Sequence, residues 1–329
     1  LKSRRAVVLA VILIVAVLSG CGERNGAGSV PGEQTIQRLP LNTGKLVIGY
    51  RTNGALSALK VKGELERKLS SYPVKVEWRA FPDDAALFKA IQEGSADIGG
   101  VGDSVAGFLH NKSAPVVYLA AEPANPEAHA VVVPLDSDIV AAADLKGRKV
   151  AYTAWSNEHF LLLQTLDKSG LSLSDVTSVQ MQPGDLPRSF ENGDADAWVV
   201  AEPELSRIEP AGIRIVADGN GNIGQREIYV TTPENVRERR DLLDIVLTEI
   251  ASLDDWITND VHSAAELLAA NTDVSHLEWL ALFERKAYGT APFLEGIARE
   301  EQRLVDTLAQ LAGRKERFFV KDLLLQADP

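Results

Sequence analysis

Phe88-Lys-Ala-Ile-Gln-Glu-Gly-Ser-Ala-Asp-Ile-Gly99 reads as the end of a helix, a stop at Gly94 and the start of a buried strand that opens at Gly102-Asp103-Ser104. Glycine suits that stop because it enters the left-handed region without a Cβ penalty. Ser189-Phe-Glu-Asn-Gly-Asp-Ala-Asp-Ala-Trp-Val-Val200 follows the same order 99 residues later, with Gly193 answering Gly94 and Asp196 answering Asp97. The flanks repeat as well. Lys45-Leu-Val-Ile-Gly-Tyr50 leads into the polar loop Arg51-Thr52-Asn53-Gly54, and Arg148-Lys-Val-Ala-Tyr152 leads into Thr153-Ala154-Trp155-Ser156-Asn157, at an offset of 102. Each half holds one further strand between these features, at Val74–Trp78 and at Val176–Met181. Each half therefore reads β-α-β-α-β, which predicts two similar α/β lobes. In such units ligands meet the carboxyl ends of the strands, where helix amino termini point outward. Two lobes facing each other that way enclose a cleft.

Working outward, the 329 residues suit about two domains, and 45% hydrophobic with 24% charged residues is ordinary globular composition. The net charge of −12 repels phosphate backbones, and no basic stripe or zinc-finger spacing offsets it, so no nucleic-acid partner is expected. Lys2, Arg4 and Arg5 precede 13 apolar residues, Ala6 to Leu18, in the charge order and length of an export signal. That run is short for a spanning helix, which needs roughly 20 apolar residues. It ends in Leu18-Ser19-Gly20-Cys21, which resembles the bacterial lipobox; the resemblance implies cleavage after residue 20 and a diacylglyceryl group on Cys21. Cys21 is the single cysteine, so no internal disulfide can form. The expected organisation is an export signal at 1–20, a lipid-anchored tether at 21–44, a first lobe at 45–125, a second lobe at 126–225, and a return to the first lobe with carboxyl-terminal helices at 226–329.

The body supports that division. Ala55–Leu69 is predicted as a helix interrupted by Gly63, and Pro82-Asp83-Asp84 begins a second helix with a capping aspartate. Prolines at 123 and 126 mark a crossing between lobes, and Gly219–Gly224 marks the way back. Beyond Pro233 the pattern is helical throughout. Leu242, Val246, Ile250, Leu253 and Ile257 keep the spacing of one packed face.

Several loops could serve an anion. The junctions Thr52-Asn53-Gly54, Gly102-Asp103-Ser104 and Ser156-Asn157 would present backbone N–H groups and hydroxyls, and Arg51 could add formal charge. Arg51 could equally form a surface ion pair, and Asp103 and Ser104 could simply cap a helix. Trp155 lies in a polar loop that gives it few structural reasons to be there, whereas Trp198, at a strand end, fits either a cleft wall or the core.

Gly49-Tyr50-Arg51, Lys62-Gly-Glu-Leu-Glu66, Gly94-Ser-Ala-Asp-Ile-Gly99, Gly102-Asp103, Tyr118-Leu-Ala-Ala-Glu-Pro123, Ala143-Asp-Leu-Lys-Gly147, Asp196-Ala-Trp198 and Glu202-Pro203 together resemble the solute-binding proteins of ABC importers for aliphatic sulfonates, with taurine and nitrate binders sharing much of the pattern. The resemblance spans roughly residues 45–322. It implies a type II periplasmic-binding-protein fold, closing by hinge motion on a sulfonate, taurine, nitrate or another small anion and delivering it to a permease. The implied protein is a monomer held at the membrane by its lipid, with no cofactor, no metal and no catalytic residues. The ligand-binding residues it points to are Arg51, Thr52, Asn53, Gly54, Gly102, Asp103, Ser104, Trp155, Ser156, Asn157, Trp198 and Glu202. Asp103 could also meet the ammonium of an amino-sulfonate. Two departures fall in the expected pocket. Trp155-Ser-Asn-Glu-His159 stands where the family often has Gly-Ser-Ser-Ala-His, and Ala201-Glu202 where it often has tryptophan and aspartate. Hydrolase elbow, Walker and zinc-protease motifs are absent from the sequence, as is the cysteine-rich motif of the pyrimidine-precursor synthases that share this architecture.

Overall fold

The structure is a computed structural model that describes residues 44–110, 112–222, 224–313 and 318–324. The expected export signal, Cys21 and all of the tether but Gly44 lie outside the described residues.

The chain opens with β1 (Gly44–Tyr50), α1 (Ala55–Lys62), α2 (Glu64–Leu69), β2 (Val74–Ala80), α3 (Asp84–Gln92), β3 (Ile98–Gly102), α4 (Asp103–Leu109) and β4 (Val117–Ala121). It crosses to β5 (His129–Pro134), β6 (Lys149–Tyr152), α5 (Asn157–Lys168), β7 (Thr177–Gln180), α6 (Leu186–Asn192), β8 (Ala197–Ala201), α7 (Glu204–Ile208) and β9 (Ile213–Asp218). It returns through β10 (Glu227–Thr231), α8 (Pro233–Asn259), α9 (Val261–Ala269), α10 (His276–Arg285), β11 (Ala291–Pro292) and α11 (Glu295–Leu311).

Two separate sheets result. The first has the order β11-β4-β10-β3-β1-β2 and the second β7-β6-β8-β5-β9. In the first, β1 lies parallel between β2 and β3, and β10 lies antiparallel between β3 and β4. The second repeats this plan, with β6 parallel to β7 and β8, and β5 antiparallel to β8 and β9. In each sheet an antiparallel strand adjoins a crossing segment, β10 after the return and β5 after the departure. The crossings are themselves tied, since the Asn125 N–H donates to the Gln225 carbonyl over 2.7 Å.

The duplicated motif has a backbone function. Gly94 and Gly193 take φ of 72° and 68°. Three residues on, Asp97 donates its N–H to the Val47 carbonyl over 2.8 Å, and its carboxylate accepts the Val47 N–H over 2.7 Å. Asp196 makes the same two bonds to Lys149, over 2.9 and 2.8 Å. Each aspartate thus closes a rung at the edge of a parallel ladder that would otherwise leave an N–H unpaired.

Alternation along the first sheet divides its core. Leu46, Ile48 and Ile98 pack on one side with Leu56, Leu59, Leu243 and Ile250, while Val101 packs on the other with Phe88, Ile91 and Leu304. The tail therefore covers both faces of the first lobe. Two details differ from the sequence reading. Gly63, at φ 68°, ends α1 outright and starts α2, because no continuous helix passes through the left-handed region. The expected all-helical tail also contributes β11, a two-residue strand on the edge of β4, too short to leave a periodic signal.

Candidate functional site

The loops after β1, β3, β6 and β8 converge between the lobes. Ser104, at the start of α4, donates both its N–H (3.2 Å) and its hydroxyl (2.7 Å) to Oδ1 of Asn157 at the start of α5. Asn157 Nδ2 in turn donates to the Arg226 carbonyl over 3.2 Å. Glycine at 102 permits this approach, since a Cβ there would lie 2.6 Å from Asn157 Oδ1. Asn53 Nδ2 donates to the Glu202 carbonyl over 3.3 Å. Further out, Arg285 pairs with Glu202 and Glu209, and Arg207 with Glu278. These bonds span the two lobes.

Behind them lies a cavity of about 100 Å³. Arg51, Asp84 and Glu227 form its charged centre. Arg51 pairs with Asp84 and, over 3.4 Å, with Glu227. Burial opposes the Arg51 charge, but the surrounding carboxylates, Asp84 and Glu227 foremost, together outweigh it and raise its pKa. Burial also lifts Asp84, and it pushes Glu227 up to about 7, with the nearby charge of Glu122 adding to the effect. Glycine at 100 makes room for Glu227, whose Oε1 would sit 2.0 Å from an added Cβ. Glu122 is paired with Lys286 at 2.5 Å and accepts the Tyr229 hydroxyl at 2.6 Å. Glu158 and His129 complete the polar wall from the second lobe, and burial lowers the His129 pKa.

Of the residues expected to meet ligand, Arg51, Asn53, Gly102, Asn157 and Glu202 line this cavity. Gly54 borders it, with its Cα substituent position 3.7 Å from Glu227 Oε1. Ser104 stands one hydrogen bond behind the wall, through Asn157. Ser156 caps α5, accepting the His159 N–H over 3.2 Å. Thr52 is exposed and not part of the lining.

Three of the expected residues lie away from this cavity. Trp198 is fully buried, gives its indole N–H to Ser189 Oγ over 3.1 Å and meets Phe190 edge-on at 4.9 Å, so it belongs to the second-lobe core. Asp103 turns away from the cavity. Its carboxylate accepts the Arg226 N–H over 3.2 Å and lies beside the Arg226 guanidinium, while burial pushes its pKa up to about 7. Trp155 lines a separate and wider recess of about 660 Å³ with Gln182 and Arg188. It is 45% exposed, holds a φ of 59°, and rests edge-on against Phe108 of the other lobe at 5.5 Å. His159 stacks flat on the same Phe108 at 4.6 Å, and desolvation lowers its pKa to about 4.

The sequence reading missed Asp84, Glu122, Gln225 and Glu227. Asp84 read only as part of a helix start, and Glu122 only as part of a stretch resembling the family. The one available signal was the run of glycines at 99, 100 and 102, which marks a strand that other groups approach closely.

Two α/β lobes joined by two crossing segments and closed over a small polar cavity define a hinged solute-binding protein fold. The NMT1/THI5-like family matches residues 73–257, and the chain belongs to that family. It is 30% identical over 228 residues to a protein of Escherichia coli (strain K12) named "Putative aliphatic sulfonates-binding protein", covering 68% of this chain and 70% of that one. It is 29% identical over 152 residues, 46% of each chain, to the taurine-binding periplasmic protein of the same organism. Among solved structures, the alkanesulfonate-binding protein SsuA from Xanthomonas axonopodis pv. citri bound to MOPS superposes with a TM-score of 0.79 at 25% identity, covering 86% of this chain and 98% of that one.

Proposed function

We propose that this protein is an extracytoplasmic solute-binding protein that captures a small organic sulfonate between its lobes and delivers it to an ABC permease without altering it. The observation that carries this reading is the interlobe cavity, bridged by the Ser104–Asn157 and Asn53–Glu202 bonds. A cavity between two lobes bridged by hydrogen bonds fits retention and release by hinge motion. For the sulfonate, the first turn of α5 brings Asn157 and Glu158 to the cavity wall, where helix N–H groups have no intrahelical acceptor. The names of the relatives supply the ligand class. Arg51, Asn53, Gly54, Gly102, Asn157 and Glu202 are the proposed ligand-facing set, with Ser104 and Ser156 positioning Asn157 and the start of α5. In the same reading the protein is a monomer anchored through lipid on Cys21, which raises its effective concentration near the permease.

Titration calorimetry with ethanesulfonate, 2-aminoethanesulfonate, benzenesulfonate, sulfate and nitrate tests the ligand class. Binding of a sulfonate at micromolar concentration, in preference to sulfate and nitrate, is the expected outcome. Recovery of the bound compound unchanged after prolonged incubation separates capture from catalysis. Binding of none of the sulfonates ends the reading.

A further inference from the structure

The cavity is more acidic than an anion site requires. Asp84, Glu122, Glu158, Glu202 and Glu227 line it, against three lining cations, Arg51, Arg226 and Lys286, with Arg285 pairing Glu202 from outside the lining. Each of those cations is already engaged: Arg51 by Asp84 and Glu227, Lys286 by Glu122, and Arg226 by Glu300 at 2.5 Å and Glu301 at 3.5 Å. Glu158 has no ion-pair partner among the described residues. A ligand bearing only negative charge would enter a site with a surplus of carboxylates and no uncommitted cation, and like charges in a desolvated site repel strongly.

A second observation lies on the return crossing. Gln225 lines the cavity and is 1% exposed, yet neither its amide oxygen nor its amide nitrogen has a hydrogen-bond partner among the described residues. A buried amide left unbonded costs free energy that a ligand can recover. Gln225 also holds φ at 76°, a conformation unfavourable to side-chain-bearing residues. Its oxygen offers an acceptor two residues from Glu227, on the wall that also carries Glu122.

Resting on the sulfonate reading above, we infer that the ligand is zwitterionic, carrying a cationic nitrogen that seats against Gln225 and Glu227 while its sulfonate end faces the start of α5. An N–H cation donates to the Gln225 oxygen and the Glu227 carboxylate and offsets the carboxylate surplus. Burial and the neighbouring charge of Glu122 push the Glu227 pKa up to about 7, the direction in which a nearby cation would relieve it. The specificity therefore distinguishes amino-sulfonates from plain alkanesulfonates of equal length.

Calorimetry of the purified full chain with ethanesulfonate, 2-aminoethanesulfonate and 3-aminopropanoate tests this. The aminosulfonate is expected to bind at least about tenfold tighter than ethanesulfonate. Equal or tighter binding of ethanesulfonate overturns the inference and leaves the sulfonate reading standing. Binding of 3-aminopropanoate in place of both sulfonates upholds the cation seat and ends the sulfonate reading. Binding of none of the three overturns both. Gln225→Leu should reduce affinity for 2-aminoethanesulfonate by about fivefold or more beyond whatever loss it causes for ethanesulfonate. An equal loss for both compounds removes Gln225 from the cation end.

Discussion

Ser104 and Asn157 belong to different lobes, yet one oxygen of Asn157 accepts both the N–H and the hydroxyl of Ser104. The pair joins the starts of α4 and α5 directly across the cleft. Asn157→Ala should weaken ligand binding by about 1–3 kcal/mol, since closure then leaves the Ser104 groups unpaired. A double-mutant cycle with Ser104→Ala, read by calorimetry, should give a coupling energy of about 0.5 kcal/mol or more. Strict additivity would show that the bond does not contribute to the closed state.

The repeated aspartates differ in one respect that stability measurements can resolve. Both pair with a first-strand N–H, but Asp97 also accepts from Arg239 over 2.8 Å, at the point where α8 is kinked. Urea unfolding should give a loss of about 1–3 kcal/mol for Asp196→Ala and a larger one for Asp97→Ala. The reverse ranking would mean that the Arg239 pair adds nothing.

Trp198→Phe should cost about 1–2 kcal/mol of stability through the lost Ser189 bond and the space left in the core. Ligand affinity should stay within about twofold of the parent, because no ligand reaches a side chain in that position. A large drop in affinity with unchanged stability would return Trp198 to the binding site.

Arg51→Ala strands two buried carboxylates, Asp84 and Glu227, and should cost on the order of 3–5 kcal/mol at neutral pH. The penalty depends on pH with a definite sign. A carboxylate whose folded pKa is raised contributes full stability below its unfolded pKa and loses it as pH rises through the folded one. Glu227 already stands at about 7 with Arg51 present, and Asp84 is raised as well. The gap between parent and variant in denaturant unfolding should therefore be small near pH 4 and widen through pH 7. A gap that stays constant from pH 4 to pH 8 would contradict this.

The scaffold was legible in the sequence because its signals are local. Gly94, Asp97, Gly193 and Asp196 each perform a backbone task within their own lobe, and that task recurs in the second half with the same spacing. The chemistry of the cavity was not local. Arg51 meets Glu227 across 176 positions, and nothing around Glu227 distinguishes it from a surface residue at a strand start. Trp198 was misplaced because β8 extends to Ala201 and not to the tryptophan, so a residue expected at the mouth lies three positions inside. Asp103, expected as a helix cap, is instead the first residue of α4, and its side chain serves a different element, the return crossing at Arg226.

Trp155 reaches from the second lobe onto Phe108 of the first, and its left-handed backbone fixes the indole at that rim. Trp198 and Trp279, by contrast, are sealed within single lobes. Separation of the lobes must strip the Phe108 ring from an indole that is already half in water, so, of the five tryptophans, this one has surroundings that change when the molecule opens.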